Sequence, residues 1–277
     1  MRVFISVDME GIAGVVHWAD TRPEGVEYER ARHWMTAEAN AAIEGALAAG
    51  ATEVVVNDSH SYMRNLLAEE LHPEAWLVRG SQKPLCMVQG LEPGFAAAFF
   101  VGYHAMAGTG GGVLNHSFSG SSVYRLQLND LTVGEVGFNA AVAGAMQVPV
   151  VMVTGDEILS REVQAVLPWA ERVVVKHGIS SWSAKNVSPT KAQGLIRTAA
   201  EHALRRLSDM SPLVLTAPIR FQAEFFRPIF ADQASLLPGA ERVNGTTVAY
   251  VAQDMDTINR AWMTMLTLSG SAAGGYG

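Results

Sequence analysis

The chain has 277 residues, and its 20 lysines and arginines against 27 aspartates and glutamates give a formal net charge of −7. This length can bury a sizeable core in one large or two unequal domains. The negative charge argues against nucleic acid as a partner, since a phosphate backbone needs a positive surface. Charged residues make up only 17% of the chain, and a surface this poor in charge predicts a homo-oligomer.

The cysteine content and the N-terminus point to the compartment. Cys86 is the only cysteine, which excludes an intramolecular disulfide and a cysteine-based zinc site. Residues 1–10 offer about five apolar positions before two acids, too few for a signal peptide. The uncharged stretch 136–155 contains Asn139, Gln147 and Pro149, so a helix turn and a buried strand explain it better than a membrane span. We expect a cytoplasmic protein without a membrane partner.

In chain order, short β-branched runs alternate with helical patterns, which is typical of βαβ units. The predicted strands are residues 3–7, 53–56, 96–101, 148–153 and 173–176, and the predicted helices are residues 27–49 and 188–207. Between the third and fourth of these strands, a hairpin through Asn129-Asp130 joins residues 123–128 to residues 131–136. We therefore predict an α/β fold, Rossmann-like, with a mainly parallel sheet flanked by helices.

The pattern changes after residue 208. A strand from residue 211, a helix at 229–236, a hairpin through Asn244-Gly245 and a helix at 255–268 follow one another, and a glycine-rich tail ends the chain. We predict a main α/β domain over residues 1–208, which carries the candidate catalytic site, and a smaller C-terminal α+β subdomain over residues 209–277.

Acids and histidines follow the ends of three predicted strands. Asp8 and Glu10 lie two residues apart, so both carboxylates point to the same side of the first strand. Alone, such a pair is more often a helix cap beside a solvated acid. His60 follows the second strand and His104 the third, and the carboxyl ends of parallel strands share one edge of the sheet. We expect these four side chains to meet and bind a metal.

The donor types favour zinc, with manganese or iron as competitors. Glu135 is an acid in an otherwise apolar predicted strand, where a charge needs a partner. Adding it gives five ligands, and if Asp8 bridges, two ions would each receive three protein contacts. The sequence therefore suggests a dinuclear site, whose natural chemistry is hydrolysis. His116 follows the glycine-rich loop 108–112 and could move protons there; the alternative is a surface histidine in a mobile loop.

Seven motifs carry a resemblance to a known family. They are Ser6–Ile12 (SVDMEGI), Val56–His60 (VNDSH), Leu71–Ala75 (LHPEA), Gly102–Ala105 (GYHA), Asn115–Ser117 (NHS), Gly134–Ala140 (GEVGFNA) and Met152–Asp156 (MVTGD). In these, the chain resembles the zinc-dependent D-aminopeptidases of the DppA type nearly end to end. The resemblance implies two zinc ions held by Asp8, Glu10, His60, His104 and Glu135, with Asp8 shared.

The resemblance further implies that His116 is the catalytic histidine. It also implies a homodecamer whose active sites face an inner chamber, and N-terminal D-amino acids of short peptides as substrate. The family describes its histidine as a nucleophile, whereas we favour a general acid or base on physical grounds. The glycine-rich loop before His116 departs from the family pattern.

Two other functions are compatible with these residues: a dinuclear metal phosphohydrolase, which would need basic residues beside the metals, and a non-catalytic metal- or peptide-binding protein. Lys176, Lys185 and Asn186 could hold a peptide carboxylate near the end of a later strand, or belong to a solvated face.

Overall fold

The structure, a computed structural model, describes residues 1–272, and the end of the predicted tail lies outside them. The strands are β1 Arg2–Val7, β2 Glu53–Asp58, β3 Ala75–Val78, β4 Ala97–Val101, β5 Val123–Leu128, β6 Leu131–Val133, β7 Val150–Asp156, β8 Glu171–Ser180, β9 Ser183–Asn186, β10 Ile219–Phe225, β11 Glu241–Arg242 and β12 Thr247–Ala252. The α-helices are α1 Trp18–Thr21, α2 Tyr28–Ala48, α3 Glu135–Ala145, α4 Glu157–Val166, α5 Pro189–Arg205, α6 Pro228–Ala234 and α7 Met255–Ser271.

Seven strands form the main sheet in the order β3-β2-β1-β4-β7-β8-β9. All neighbouring pairs are parallel except β8 and β9. The chain fills one side of β1 with β2 and β3 and then returns to the other side with β4, so the strand order reverses between β1 and β4. The predicted fold class, a mainly parallel α/β sheet flanked by helices, is confirmed.

A second, antiparallel sheet has the order β11-β12-β10-β5-β6. Its strand β10 comes from the C-terminal part of the chain and pairs with β5. The C-terminal part thus completes its sheet with a hairpin from residues 123–133. The division into residues 1–208 and 209–277 stays a prediction.

Successive side chains of each strand point to opposite faces of the main sheet, and each face has its own hydrophobic core. Ile5 lies in a cluster with buried residues of α2 and α5, and its neighbour Phe4 lies in the other cluster. That second cluster also contains Phe221 of the antiparallel sheet and Trp262 of α7. Both faces of the sheet are therefore buried, which explains the continuous apolar runs of its central strands.

Strand prediction failed at Glu135. The hairpin strand expected to reach residue 136 ends at Val133, and Glu135 is instead the first residue of α3. Gly134 is extended and precedes the helix, and a carboxylate in the first turn interacts favourably with the helix dipole. The apolar run that follows was expected to be a helix turn, and it forms three turns of helix. The strands β3 and β9 and the helices α1 and α4 were not predicted.

None of the helices within residues 1–272 has both the length and the apolar character needed to cross a bilayer.

Backbone contact between two loops sets the geometry at the strand ends. The Gly11 N–H donates to the Gly102 carbonyl at 2.7 Å, so the loop after β1 touches the loop after β4 directly. A Cβ at Gly11 would lie 1.9 Å from the Tyr103 carbonyl oxygen. Glycine is required here because only a bare backbone allows this approach.

We therefore expect Gly11→Ala to push the two loops apart and destabilise the fold by about 1–3 kcal/mol, the usual cost of overpacking. Gly194→Ala is the matched control, since its Cβ would meet nothing within 4 Å on helix α5. The control should gain roughly 0.5–1 kcal/mol from helix propensity. Urea unfolding of both variants tests this, and equal stabilities would contradict it.

Candidate metal centre

The five predicted ligands converge at the strand ends where the sheet order reverses. Asp8 and Glu10 follow β1, His60 follows β2, His104 follows β4, and Glu135 begins α3. Each of the five residues is 7% exposed or less. Three carboxylates buried together require positive charge beside them.

One group of ligand atoms lies around one oxygen of Asp8. His60 Nδ1 lies 3.3 Å from Asp8 Oδ1 and 3.0 Å from Glu10 Oε2. Two ligands bound at about 2.1 Å to a tetrahedral zinc are roughly 3.4 Å apart. Both distances from His60 fit two ligands of one ion. Glu10 also lies near the other imidazole, since ligand atoms of Asp8, Glu10 and His104 all lie within 4.8 Å of one another.

A second group lies around the other oxygen of the same carboxylate. His104 Nε2 lies 3.4 Å from Asp8 Oδ2 and 3.4 Å from Glu135 Oε1. Among the described residues, His104 Nε2 is a buried nitrogen without a hydrogen-bond partner. A buried nitrogen left unpaired between two carboxylates fits a metal ligand, because the ion would satisfy it.

Backbone carbonyls determine which nitrogen of each histidine faces the acids. His60 Nε2 donates to the Thr21 carbonyl at 2.8 Å, and His104 Nδ1 donates to the Ala105 carbonyl at 3.1 Å. A carbonyl only accepts, so the opposite nitrogen of each ring is left facing the carboxylates. This is the usual arrangement of metal-binding histidines.

The ionisation of the site follows from its burial and its opposite charges. Burial raises the pKa of Asp8, but the facing imidazoles of His104 and His60 outweigh it and hold that pKa well below its usual range. Burial lowers the pKa of both histidines, yet the facing Glu10 and Glu135 raise the pKa of His60 and His104 well above the usual value. A proton and a metal cation thus compete for the same ring nitrogens.

His116 lies beside the second group, as expected for a residue that acts on the same substrate. Its ring stacks on His104 with centroids 3.9 Å apart, and its Nε2 lies 3.7 Å from Glu135 Oε1. The Leu114 carbonyl accepts its Nδ1 proton at 2.9 Å, which leaves Nε2 free toward the cavity. The ligand atoms of His104, His116 and Glu135 all lie within 4.8 Å of one another, so the geometry also allows His116 to be a ligand.

The loop before His116 is packed rather than open. A Cβ at Gly178 would lie 1.9 Å from the Gly111 carbonyl oxygen, so the glycine-rich loop touches β8 backbone to backbone. The Val113 N–H donates to Asp156 Oδ2 at 2.7 Å. The loop that leads to His116 is thus held by β8 and by the last residue of β7.

Lys176 neither lies on a solvated face nor is free to bind a peptide carboxylate, the two possibilities that the sequence left open. Its ammonium is buried and donates to the carbonyls of Glu10, Ile12 and Val15 at 2.5, 2.9 and 2.6 Å. Burial lowers its pKa to about 8. All three donors are used to hold the loop that carries Glu10, so none remains for a substrate carboxylate. Lys185 is exposed on β9, and Asn186 accepts from the Gly14 N–H.

A cavity of about 320 Å³ opens onto the centre. Ten of its lining residues were not predicted from the sequence, among them Trp18, Arg22, Cys86, Phe118 and Leu266. Cys86 is half-buried in this wall, and burial raises the pKa of its thiol to about 11. These residues come from widely separated segments, and no local motif marks them.

A parallel α/β sheet with a carboxylate–imidazole metal centre at its strand ends defines a metal-dependent hydrolase. Residues 1–264 match the family model of the D-aminopeptidases, peptidase family M55. The chain therefore belongs to the M55 D-aminopeptidase family. The predicted resemblance and the predicted enzyme class, an aminopeptidase, are confirmed.

Two relatives agree with this assignment. The D-aminopeptidase of Bacillus subtilis (strain 168) is 43% identical over 272 residues, which are 97% of this chain and 98% of the relative. A solved structure of the Zn-dependent D-aminopeptidase DppA from Bacillus subtilis, a self-compartmentalizing protease, superposes with a TM-score of 0.95 at 41% identity. The superposition covers 98% of each chain.

Zinc binding to the metal-free protein should release about two protons per subunit at pH 7, one each from His60 and His104, because their pKa values are raised. Affinity should therefore rise with pH until both imidazoles are deprotonated. Calorimetric titration in buffers of different ionisation enthalpy measures the proton count. His33→Asn, at an exposed histidine paired with Glu70, should leave the count unchanged. Heats that do not depend on the buffer would contradict the prediction.

Proposed function

We propose that this enzyme binds two zinc ions per subunit, bridged by Asp8, and removes N-terminal D-amino acids from short peptides or amino-acid amides. The proposal rests on the position of the Asp8 carboxylate, whose two oxygens face two different groups of ligand atoms. Asp8 Oδ1 faces His60 and Asp8 Oδ2 faces His104. A carboxylate turned to two separate imidazoles is well placed to bridge two cations.

Each ion would have three protein ligands. Asp8, Glu10 and His60 would hold the first, and Asp8, His104 and Glu135 the second. Three protein ligands leave a coordination position open, which is the arrangement of a catalytic rather than a structural zinc. Zinc bound here would supply Lewis-acid activation of water and of the scissile carbonyl.

His116 would carry the proton that peptide hydrolysis requires. Its Nδ1 proton is committed to the Leu114 carbonyl, so Nε2 is the atom that can take a proton and pass it to the leaving amine. Stacking on His104 and an edge contact with Trp18 hold the ring in one orientation. Such fixed orientation favours a general acid or base, because proton transfer depends on distance and direction.

The relatives support the substrate and the assembly. One is named a D-aminopeptidase, and the other a Zn-dependent D-aminopeptidase and self-compartmentalizing protease. A self-compartmentalizing enzyme encloses its own sites, which agrees with a homo-oligomer and with the predicted homodecamer. Exposed Trp76, Ile179 and Trp182 offer apolar surface for subunit contacts. The cytoplasmic location stays a prediction.

The phosphohydrolase alternative is less well supported. It needs basic residues beside the metals to stabilise phosphoryl charge. Within the described residues, Arg22 is the one lysine or arginine that lines the cavity, and it is exposed. Family membership also favours the aminopeptidase over a non-catalytic binding protein.

His116→Ala should lower kcat for D-alanine amide by about 10²–10⁴-fold, the usual contribution of a positioned acid or base. Zinc content should stay at the wild-type value, because His116 is not one of the proposed ligands. His72→Ala, at a histidine outside the centre, is the control and should leave both unchanged. Activity retained in His116→Ala would refute its role, and loss of zinc would make it a ligand.

The same assay tests the reaction itself. The zinc-loaded enzyme should cleave D-alanine amide faster than L-alanine amide, and a chelator should abolish the activity until zinc is restored. Metal analysis alongside gives the number of ions. Equal rates for the two enantiomers would refute D-selectivity, and activity unaffected by chelation would refute zinc dependence.

Asp8→Asn should remove or weaken both ions, whereas Glu10→Gln should affect only the first. We therefore expect about two zinc ions per subunit in the wild type, about one in Glu10→Gln and fewer than one in Asp8→Asn. Metal analysis after dialysis measures this. Equal zinc content in the two variants would contradict bridging by Asp8.

A further inference from the structure

Arg22 and Trp18 form an open end of the catalytic cavity. Trp18 begins α1 and Arg22 follows its last residue, so the two side chains lie four residues apart on one face of the turn. The Arg22 guanidinium carbon lies 5.6 Å from the Trp18 ring centroid. The Trp18 ring lies in turn 5.4 Å from the ring of His116. Trp18 therefore lies between His116, the proposed proton carrier, and the Arg22 guanidinium, and is close to both.

The turn that carries Arg22 is fixed to the metal centre. Thr21, the preceding residue, accepts a hydrogen bond from His60 Nε2 through its carbonyl at 2.8 Å. Asp20 accepts from the N–H groups of Val16 and His17 at 2.8 and 2.9 Å, which closes the start of the helix. The backbone at Arg22 is thus placed by a predicted ligand and not by a loose surface loop.

Charge is distributed unevenly along the cavity. The carboxylates of Asp8, Glu10 and Glu135 are buried in the cavity wall, while Arg22 is an exposed residue of the same wall. Within residues 1–272 the Arg22 guanidinium lies near the Trp18 ring but forms no salt bridge with any carboxylate. Its hydrogen-bond donors are therefore available to a ligand.

We propose that Arg22 binds the α-carboxylate of the substrate, so that the preferred substrates are short peptides with a free C-terminus. This rests on the proposed function. With the three carboxylates committed to zinc and the cleaved bond placed there, the free C-terminus of the peptide lies away from the ions, and Arg22 is the one lysine or arginine of the described residues that lines this cavity. Arginine suits this role because its planar guanidinium can donate two parallel hydrogen bonds to a carboxylate.

The dimensions limit the length of peptide that can use this contact. An extended chain advances about 3.4 Å per residue. The two steps from His116 to Trp18 and from Trp18 to Arg22 are 5.4 and 5.6 Å, which about three extended residues would span. A carboxylate about three residues beyond the cleaved bond can therefore reach Arg22. Longer peptides would be bound without this interaction.

The test compares two substrates that differ only in C-terminal charge, D-alanyl-triglycine and its C-terminal amide, on the zinc-loaded enzyme. Arg22→Gln should raise KM for the acid about ten-fold or more and leave KM for the amide within about two-fold. Arg22→Lys should recover part of the loss, since it restores charge without the planar pair of donors.

Arg227→Gln is the matched control. Arg227 is also exposed and lies over an aromatic ring, 4.7 Å from the centroid of Phe230, but does not line the cavity. It should leave KM for both substrates unchanged. Added salt should raise the wild-type KM for the acid more than that of Arg22→Gln, because an exposed ion pair is screened.

The outcomes separate the two proposals. If Arg22→Gln changes both substrates equally, or neither, while the wild type cleaves them, the carboxylate contact is refuted and the aminopeptidase function stands. If the wild type cleaves neither substrate, the proposed function fails and the contact fails with it. A higher KM for the acid alone in Arg22→Gln supports both proposals.

Discussion

The burial of three carboxylates around two imidazoles is the constraint on which the site depends. Asp8, Glu10 and Glu135 are almost completely excluded from solvent, and like charges at such a position repel unless cations lie between them. In the metal-free protein, protons on His60 and His104 supply part of this positive charge. The proposed pair of metal ions would satisfy the same oxygens and nitrogens at once, which would make this arrangement compatible with a stable fold.

The fold produces this arrangement through backbone contacts more than through side chains. The loops after β1 and β4 touch at Gly11 and Gly102, which places the acids of one beside the imidazole of the other. Lys176 then holds the carbonyls of the first loop, and Glu38 accepts from its Ala13 N–H at 2.9 Å. The buried ammonium of Lys176 thus binds carbonyl oxygens of the loop after β1, and the buried carboxylate of Glu38 binds one of its N–H groups. Both contacts stabilise this loop.

The ligands at strand ends could be predicted because each follows an apolar run that reads directly as a buried strand. Asp8, His60 and His104 need no knowledge of distant contacts beyond the rule that parallel strands share an edge. Glu135 was found for the right reason, a charge in an apolar run, although it lies on a helix. Lys176 was misread because three backbone carbonyls, which no sequence pattern marks, bind its ammonium. Trp18 and Arg22 went unnoticed since their turn is only four residues long.

The short turn α1 connects metal binding with substrate recognition. His60 uses one nitrogen for the carboxylates and the other for the Thr21 carbonyl. The hydrogen bond that selects the tautomer of a ligand therefore also positions Trp18 and Arg22. A shift of this turn would disturb the metal site and the open end of the cavity together. The proposed contact of Arg22 with a substrate carboxylate therefore depends on the same hydrogen bond that orients His60.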